Sequence, residues 1–119
     1  MSYRKILLER DDFIAHLILN YPENLNAMDL EMQEELLKAL LSLSKDSTIR
    51  VIVLKGAGRA FSAGGDIHLM SESLGKDVYS LMKNWIQRVH LLELQIRTIR
   101  KPVIASVEGV ASGIGFSLA

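Results

Sequence analysis

The chain has 119 residues, 49% of them hydrophobic, and its fourteen basic and fourteen acidic side chains cancel. That length holds one domain with an apolar core, and the balanced charge leaves no field to draw nucleic acid or an anionic membrane. The absence of cysteine excludes a disulfide framework and thiolate metal sites, and the short apolar run after Met1-Ser2-Tyr3-Arg4-Lys5 makes neither a signal peptide nor a membrane span, so a soluble cytoplasmic protein is expected.

Ile6-Leu7-Leu8-Glu9 and Phe13 to Leu19 flank Arg10-Asp11-Asp12, which predicts a hairpin with an aspartate-rich turn. His16 interrupts the second apolar run and is read as a hydrogen-bonded structural residue. Tyr21-Pro22 breaks the strand, because proline cannot donate to a ladder. A loop to Asn26 then leads into a helix expected from about Met28 to Ser44. Its apolar positions Met32, Leu36, Leu37, Leu40, Leu41 and Leu43 recur at helical spacing, with Glu31, Glu34, Glu35 and Lys38 opposite.

Val51-Ile52-Val53-Leu54-Lys55 reads as a buried strand. It empties into Gly56-Ala57-Gly58-Arg59-Ala60-Phe61-Ser62-Ala63-Gly64-Gly65-Asp66-Ile67, which holds four of the chain's eight glycines. Glycine opens φ > 0 and removes the Cβ that keeps another group away, so such a loop can offer main-chain N–H groups to a ligand. Ile67 to Met70 predicts a short helical turn ending near Gly75, with His68 in a surface or capping role. A long amphipathic helix is expected from Asp77 to Arg100, with Val78, Leu81, Met82, Trp85, Val89, Leu92 and Ile96 as its apolar stripe.

Lys101-Pro102 ends that helix, and Val103 to Val107 predicts a second buried strand. Glu108-Gly109-Val110-Ala111-Ser112-Gly113-Ile114-Gly115 follows, a second glycine loop opening a final helix. The order β-β-α-β-α-α-β-α predicts an α/β fold with a mainly parallel sheet and helices packed against it. Two strand-to-glycine-loop units also suggest two donors converging on one oxygen, the arrangement of an oxyanion hole.

Three stretches carry a family resemblance. Ala60-Phe61-Ser62-Ala63-Gly64-Gly65-Asp66-Ile67 and Lys101-Pro102-Val103-Ile104-Ala105-Ser106-Val107-Glu108-Gly109 resemble the enoyl-CoA hydratase/isomerase (crotonase) family. Leu19-Asn20-Tyr21-Pro22-Glu23-Asn24-Leu25-Asn26-Ala27-Met28 looks like that family's first substrate-side loop. The three occur in family order, so the resemblance covers the whole chain. It implies a crotonase-like α/β fold, repeated ββα units wound into a spiral with a mainly parallel sheet. Family members are considerably longer, so residues 1–119 are read as the N-terminal part of a single crotonase-like domain.

The resemblance implies an acyl-CoA thioester substrate and an enolate intermediate. By motif position the N–H donors to the thioester oxygen are Gly65 and Ile114, the latter at a helix start where unpaired N–H groups favour an anion. The Ala63 carbonyl with Asp66 and Ile67 would line the adenine end of the CoA site, and Glu23-Asn24-Leu25 would pass the pantetheine arm. Gly64, Gly113 and Ser117 complete the substrate-facing positions. Coenzyme A belongs to the substrate, and no metal or separate cofactor is implied. A homo-trimer or hexamer of the full-length chain is implied as well.

Ser117 departs from the pattern. Hydratases of the family carry a glutamate there that holds and activates water, and their second catalytic glutamate would lie beyond Ala119. Serine is a poor general base at neutral pH without an activating neighbour. The family resemblance implies hydration or double-bond isomerisation of an enoyl-CoA, with a hydratase as its general label, while the residues themselves favour isomerase-like enolate chemistry, with the base expected beyond residue 119. The alternative from another class is a non-catalytic acyl-CoA-binding family member or an inactive fragment, which Ser117 also supports.

Nucleotide binding fails on detail. Gly56-Ala57-Gly58 lacks the Gly-Lys-Ser/Thr of a P-loop, and Leu118 stands where the third glycine of a dinucleotide fingerprint would follow Gly113-Ile114-Gly115.

Overall fold

The computed structural model describes residues 2–65 and 77–119. The strands are β1 (Ile6–Asp11), β2 (Ile14–Leu19), β3 (Val51–Gly56), β4 (Ala60–Ser62), β5 (Val103–Ser106) and β6 (Val110–Ala111). The helices are α1 (Leu30–Ser44), α2 (Val78–Thr98) and α3 (Ile114–Leu118), with a 3₁₀ turn at Pro22–Asn24. The helical turn expected at 67–70, with Asp66, His68 and Gly75, lies outside the described residues.

The main sheet has the order β1-β2-β3-β5. The β1–β2 pair is antiparallel, with Ile6 opposite Leu19, and the β2–β3 and β3–β5 pairs are parallel. The mainly parallel sheet is therefore present. Its register sets Ala15 beside Ile52 and Leu17 beside Leu54, giving one continuous apolar face. Met32, Leu36, Ala39, Leu40 and Leu43 of α1 and Val89 and Leu92 of α2 close over it, all buried. The helices follow the 3.6-residue spacing read from the sequence, except that Leu41, expected on the apolar stripe of α1, is exposed.

Local chemistry moves several boundaries. The hairpin turn is Asp12-Phe13 rather than Arg10-Asp11-Asp12, because β1 continues to Asp11 and Asp12 alone takes a left-handed φ of 53°. Aspartate tolerates that conformation through its short polar side chain. The helix expected from Met28 begins at Leu30, since the Asp29 carboxylate caps it by accepting from the Met32 N–H at 2.8 Å, worth about 1 kcal/mol. Met28 instead bridges to Gly65 as an isolated strand contact. At the other end of α1, the Lys101 ammonium donates to the carbonyl oxygens of Leu43 and Asp46 at 2.5 and 2.6 Å.

Two expectations need correction. The strand at Val103 stands at the sheet edge, and Ile104 and Val107 are about half exposed rather than buried. His16 is half-buried, and its Nδ1 has no hydrogen-bond partner among the described residues, so it is not a satisfied histidine. A second sheet, β4 paired in parallel with β6, was not foreseen from the sequence. Strands of three and two residues are too short for a period to show.

Candidate active site

The small sheet brings the two glycine loops together. Ser112 N–H donates to the Ser62 carbonyl at 3.1 Å, and Ser112 Oγ donates to the Ala63 carbonyl at 2.9 Å. Beyond this seam Gly64 and Gly113 face each other. Their φ angles are 109° and 56°, and a Cβ built on either would stand 3.6 Å from the other's Cα. Both positions need glycine for conformation, and Gly64 also for space, since its Cβ would meet the Ser112 carbonyl oxygen at 3.0 Å.

Each glycine is followed by the residue expected to donate, Gly65 and Ile114. Among the described residues neither N–H has a hydrogen-bond acceptor. The Ile114 side chain is buried in the core cluster with Phe61, Leu92 and Leu118, so this residue presents its main chain and not its branched side chain to the loop. That arrangement explains how isoleucine fits between two glycines. Asp66 and Ile67, expected on the CoA side, lie outside the described residues.

The first substrate-side loop is bound to the same seam by Asn26, which is fully buried. Its Oδ1 accepts from the Tyr21 N–H at 2.7 Å, and its Nδ2 donates to the carbonyls of Ala57 and Ala60, both at 2.9 Å. Ser62 Oγ returns a bond to the Asn26 carbonyl at 2.8 Å. The Ala63 N–H donates to Leu25 O at 2.9 Å, and the Met28 N–H to Gly64 O at 2.7 Å. Leu25 and Asn26 both sit at left-handed φ, 52° and 55°. For leucine this costs roughly 1–2 kcal/mol, which the surrounding hydrogen bonds offset.

Sequence reasoning missed Asn26 and Ser62 as the joints of the site. The available signal was an asparagine in a tight loop free of glycine, a residue type that tolerates left-handed backbone. In this loop Glu23 is exposed and Leu25 is half-buried. The Ala63 carbonyl, expected to face the adenine end, already accepts one bond from Ser112, leaving one lone pair.

Ser117 lies one helical turn after Ile114 and is exposed. With Phe116 and Leu118 of α3 and Glu93, Ile96 and Arg97 of α2, it borders a cavity of about 320 Å³. Among the described residues no three His, Cys, Asp or Glu side chains cluster to hold a metal. No helix among them is long and apolar enough to cross a membrane.

Residues 14–119 match the enoyl-CoA hydratase/isomerase family. The chain belongs to that family. A trans-2-decenoyl-[acyl-carrier-protein] isomerase of Streptococcus mutans is 29% identical over the whole chain, which spans 45% of that protein. A probable enoyl-CoA hydratase of Mycobacterium tuberculosis is 39% identical over 89% of the chain and 38% of its own length. An enoyl-CoA hydratase/isomerase structure from Xanthobacter autotrophicus superposes with a TM-score of 0.90 at 29% identity, covering 98% of this chain and 43% of that one. The chain thus spans under half the length of these relatives, and its fold is part of a crotonase-type domain.

Proposed function

We propose that the complete protein is an acyl-CoA thioester enzyme that stabilises an enolate between the N–H groups of Gly65 and Ile114. The observation that carries this reading is the apposition of Gly64 and Gly113, which sets the two following N–H groups on adjoining loops without an internal acceptor among the described residues. Negative charge grows on the thioester oxygen as the α-carbon loses its proton. Two fixed donors then bind the enolate more strongly than the ground state, and that difference lowers the barrier.

Ser117 turns the reading toward double-bond migration. Hydration needs a water molecule held and deprotonated, and a serine without an activating partner does neither well at neutral pH. Migration needs only that one proton leave the α-carbon and one return to the γ-carbon, with the enolate between. A product assay separates the two: 3-enoyl-CoA yields a conjugated 2-enoyl thioester by migration, while 2-enoyl-CoA yields a 3-hydroxyacyl thioester by hydration. Migration without hydration supports the proposal, and hydration at comparable rate would contradict the isomerase reading.

A second reading also draws on Ser117, that of an acyl-CoA-binding protein without turnover. Thioester binding with neither product formed would favour it. A place in fatty-acid metabolism and assembly into trimers or paired trimers belong to the same proposal and rest on family resemblance, and a cytoplasmic location is proposed with them.

A further inference from the structure

We propose that Glu93 of α2 is the proton-carrying group of this site, replacing the carboxylate that Ser117 lacks. The inference rests on the enolate reading above and names the base within residues 1–119. Glu93 and Ser117 border the same cavity of about 320 Å³ from opposite helices, and Glu93 supplies the only carboxylate among its described lining residues. Ser117 is three residues past Ile114, one turn from the proposed donor N–H. The cavity therefore lies between Glu93 and the short helix whose first residue, Ile114, is the proposed donor.

The surroundings of Glu93 suit the task. Its side chain is half-buried, and among the described residues it forms no ion pair and accepts no hydrogen bond. A structural carboxylate on a helix is commonly engaged, as Glu35 is by the N–H groups of Arg4 and Lys5. Arg97 follows one turn later on the same helix and borders the same cavity. His90 lies one turn earlier, and with Glu93 and Arg97 it borders a neighbouring groove. From α3 the cavity receives only Phe116, Ser117 and Leu118, none of them charged.

The step balances with one base. The Glu93 carboxylate takes the α-proton, and the C–H electron pair moves into the enolate, whose oxygen Gly65 and Ile114 hold. Protonated Glu93 then returns the proton to the γ-carbon, and the conjugated thioester forms. No oxidant, water or second base is consumed.

The test uses the complete protein with a 3-enoyl-CoA substrate. Glu93→Gln is nearly isosteric and is expected to lower turnover by about 10²–10⁴-fold, with affinity for a saturated acyl-CoA unchanged. Glu93→Ala is expected to regain turnover on addition of formate, which a purely structural residue would not show. Glu93→Gln turning over at the parent rate would overturn the proposal. If Gly65→Pro is then inactive, the enolate reading stands and only Glu93 falls. A parent protein that neither binds nor turns over the thioester overturns both.

Discussion

Gly115 packs its bare Cα against Ser62. A Cβ at residue 115 would lie 2.8 Å from the Ser62 Cβ and nearer still to the Ser62 carbonyl oxygen. Ser62 is fully buried, and its carbonyl also receives the Ser112 N–H, so neither side can retreat freely. Gly115→Ala is therefore expected to push α3 from β4, at a cost of about 1–3 kcal/mol, the range for overpacking a tight contact. Chemical denaturation would show this as a lower midpoint. Because the displaced element carries Ile114, thioester turnover should fall further than stability alone explains.

Asn26 holds three backbone groups, those of Tyr21 in its own loop and of Ala57 and Ala60 in the first glycine loop. Truncation to alanine leaves buried groups unpaired, at roughly 1–3 kcal/mol for each. Asn26→Ala should destabilise the protein by several kcal/mol. Asn26→Asp keeps the acceptor for Tyr21 and loses the donors to Ala57 and Ala60, so it too should be destabilising. A denaturation midpoint for Asn26→Asp equal to the parent's would show that the Nδ2 bonds contribute nothing.

Asp46 gives the fold an acid-sensitive joint. Hydrogen bonds from the Thr48 hydroxyl at 2.6 Å and the Arg10 guanidinium at 2.7 Å hold its carboxyl well below its ordinary pKa of 3.8. A depressed folded-state pKa contributes stability that is fully present above the unfolded value and is lost as pH falls through the folded one. The melting temperature should therefore decline below about pH 4, and Asp46→Asn should flatten that decline while lowering the plateau at neutral pH. An acid limb unchanged in Asp46→Asn would assign the sensitivity to other carboxylates.

Much of this was legible in the sequence, and the rest was not for definite reasons. The apolar spacing of Met32, Leu36, Leu40 and Leu43 specifies a helix face whatever it meets, so α1 was readable apart from its first turn. Gly64 and Gly113 were readable as special because few other residues adopt their backbone. The role of Asn26 was hidden, since its amide partners lie 31 and 34 residues away and no local pattern records them. Ile104 misled because a β-branched run looks alike in a central strand and at an edge. Glu93 was invisible as a cavity-lining residue because helical spacing alone does not tell which polar positions α3 will approach.

The central claim is that the N–H groups of Gly65 and Ile114 polarise one thioester oxygen. The most direct measurement is the infrared band of a ¹³C-carbonyl-labelled acyl-CoA bound to the complete protein and to its Gly65→Pro variant. Two donors should draw the bound carbonyl band to lower frequency. Gly65→Pro should bind the thioester with that displacement reduced and with turnover lowered about 10²–10³-fold. A bound carbonyl band at its free-solution position, or a folded Gly65→Pro variant with the parent's band and turnover, would contradict the account.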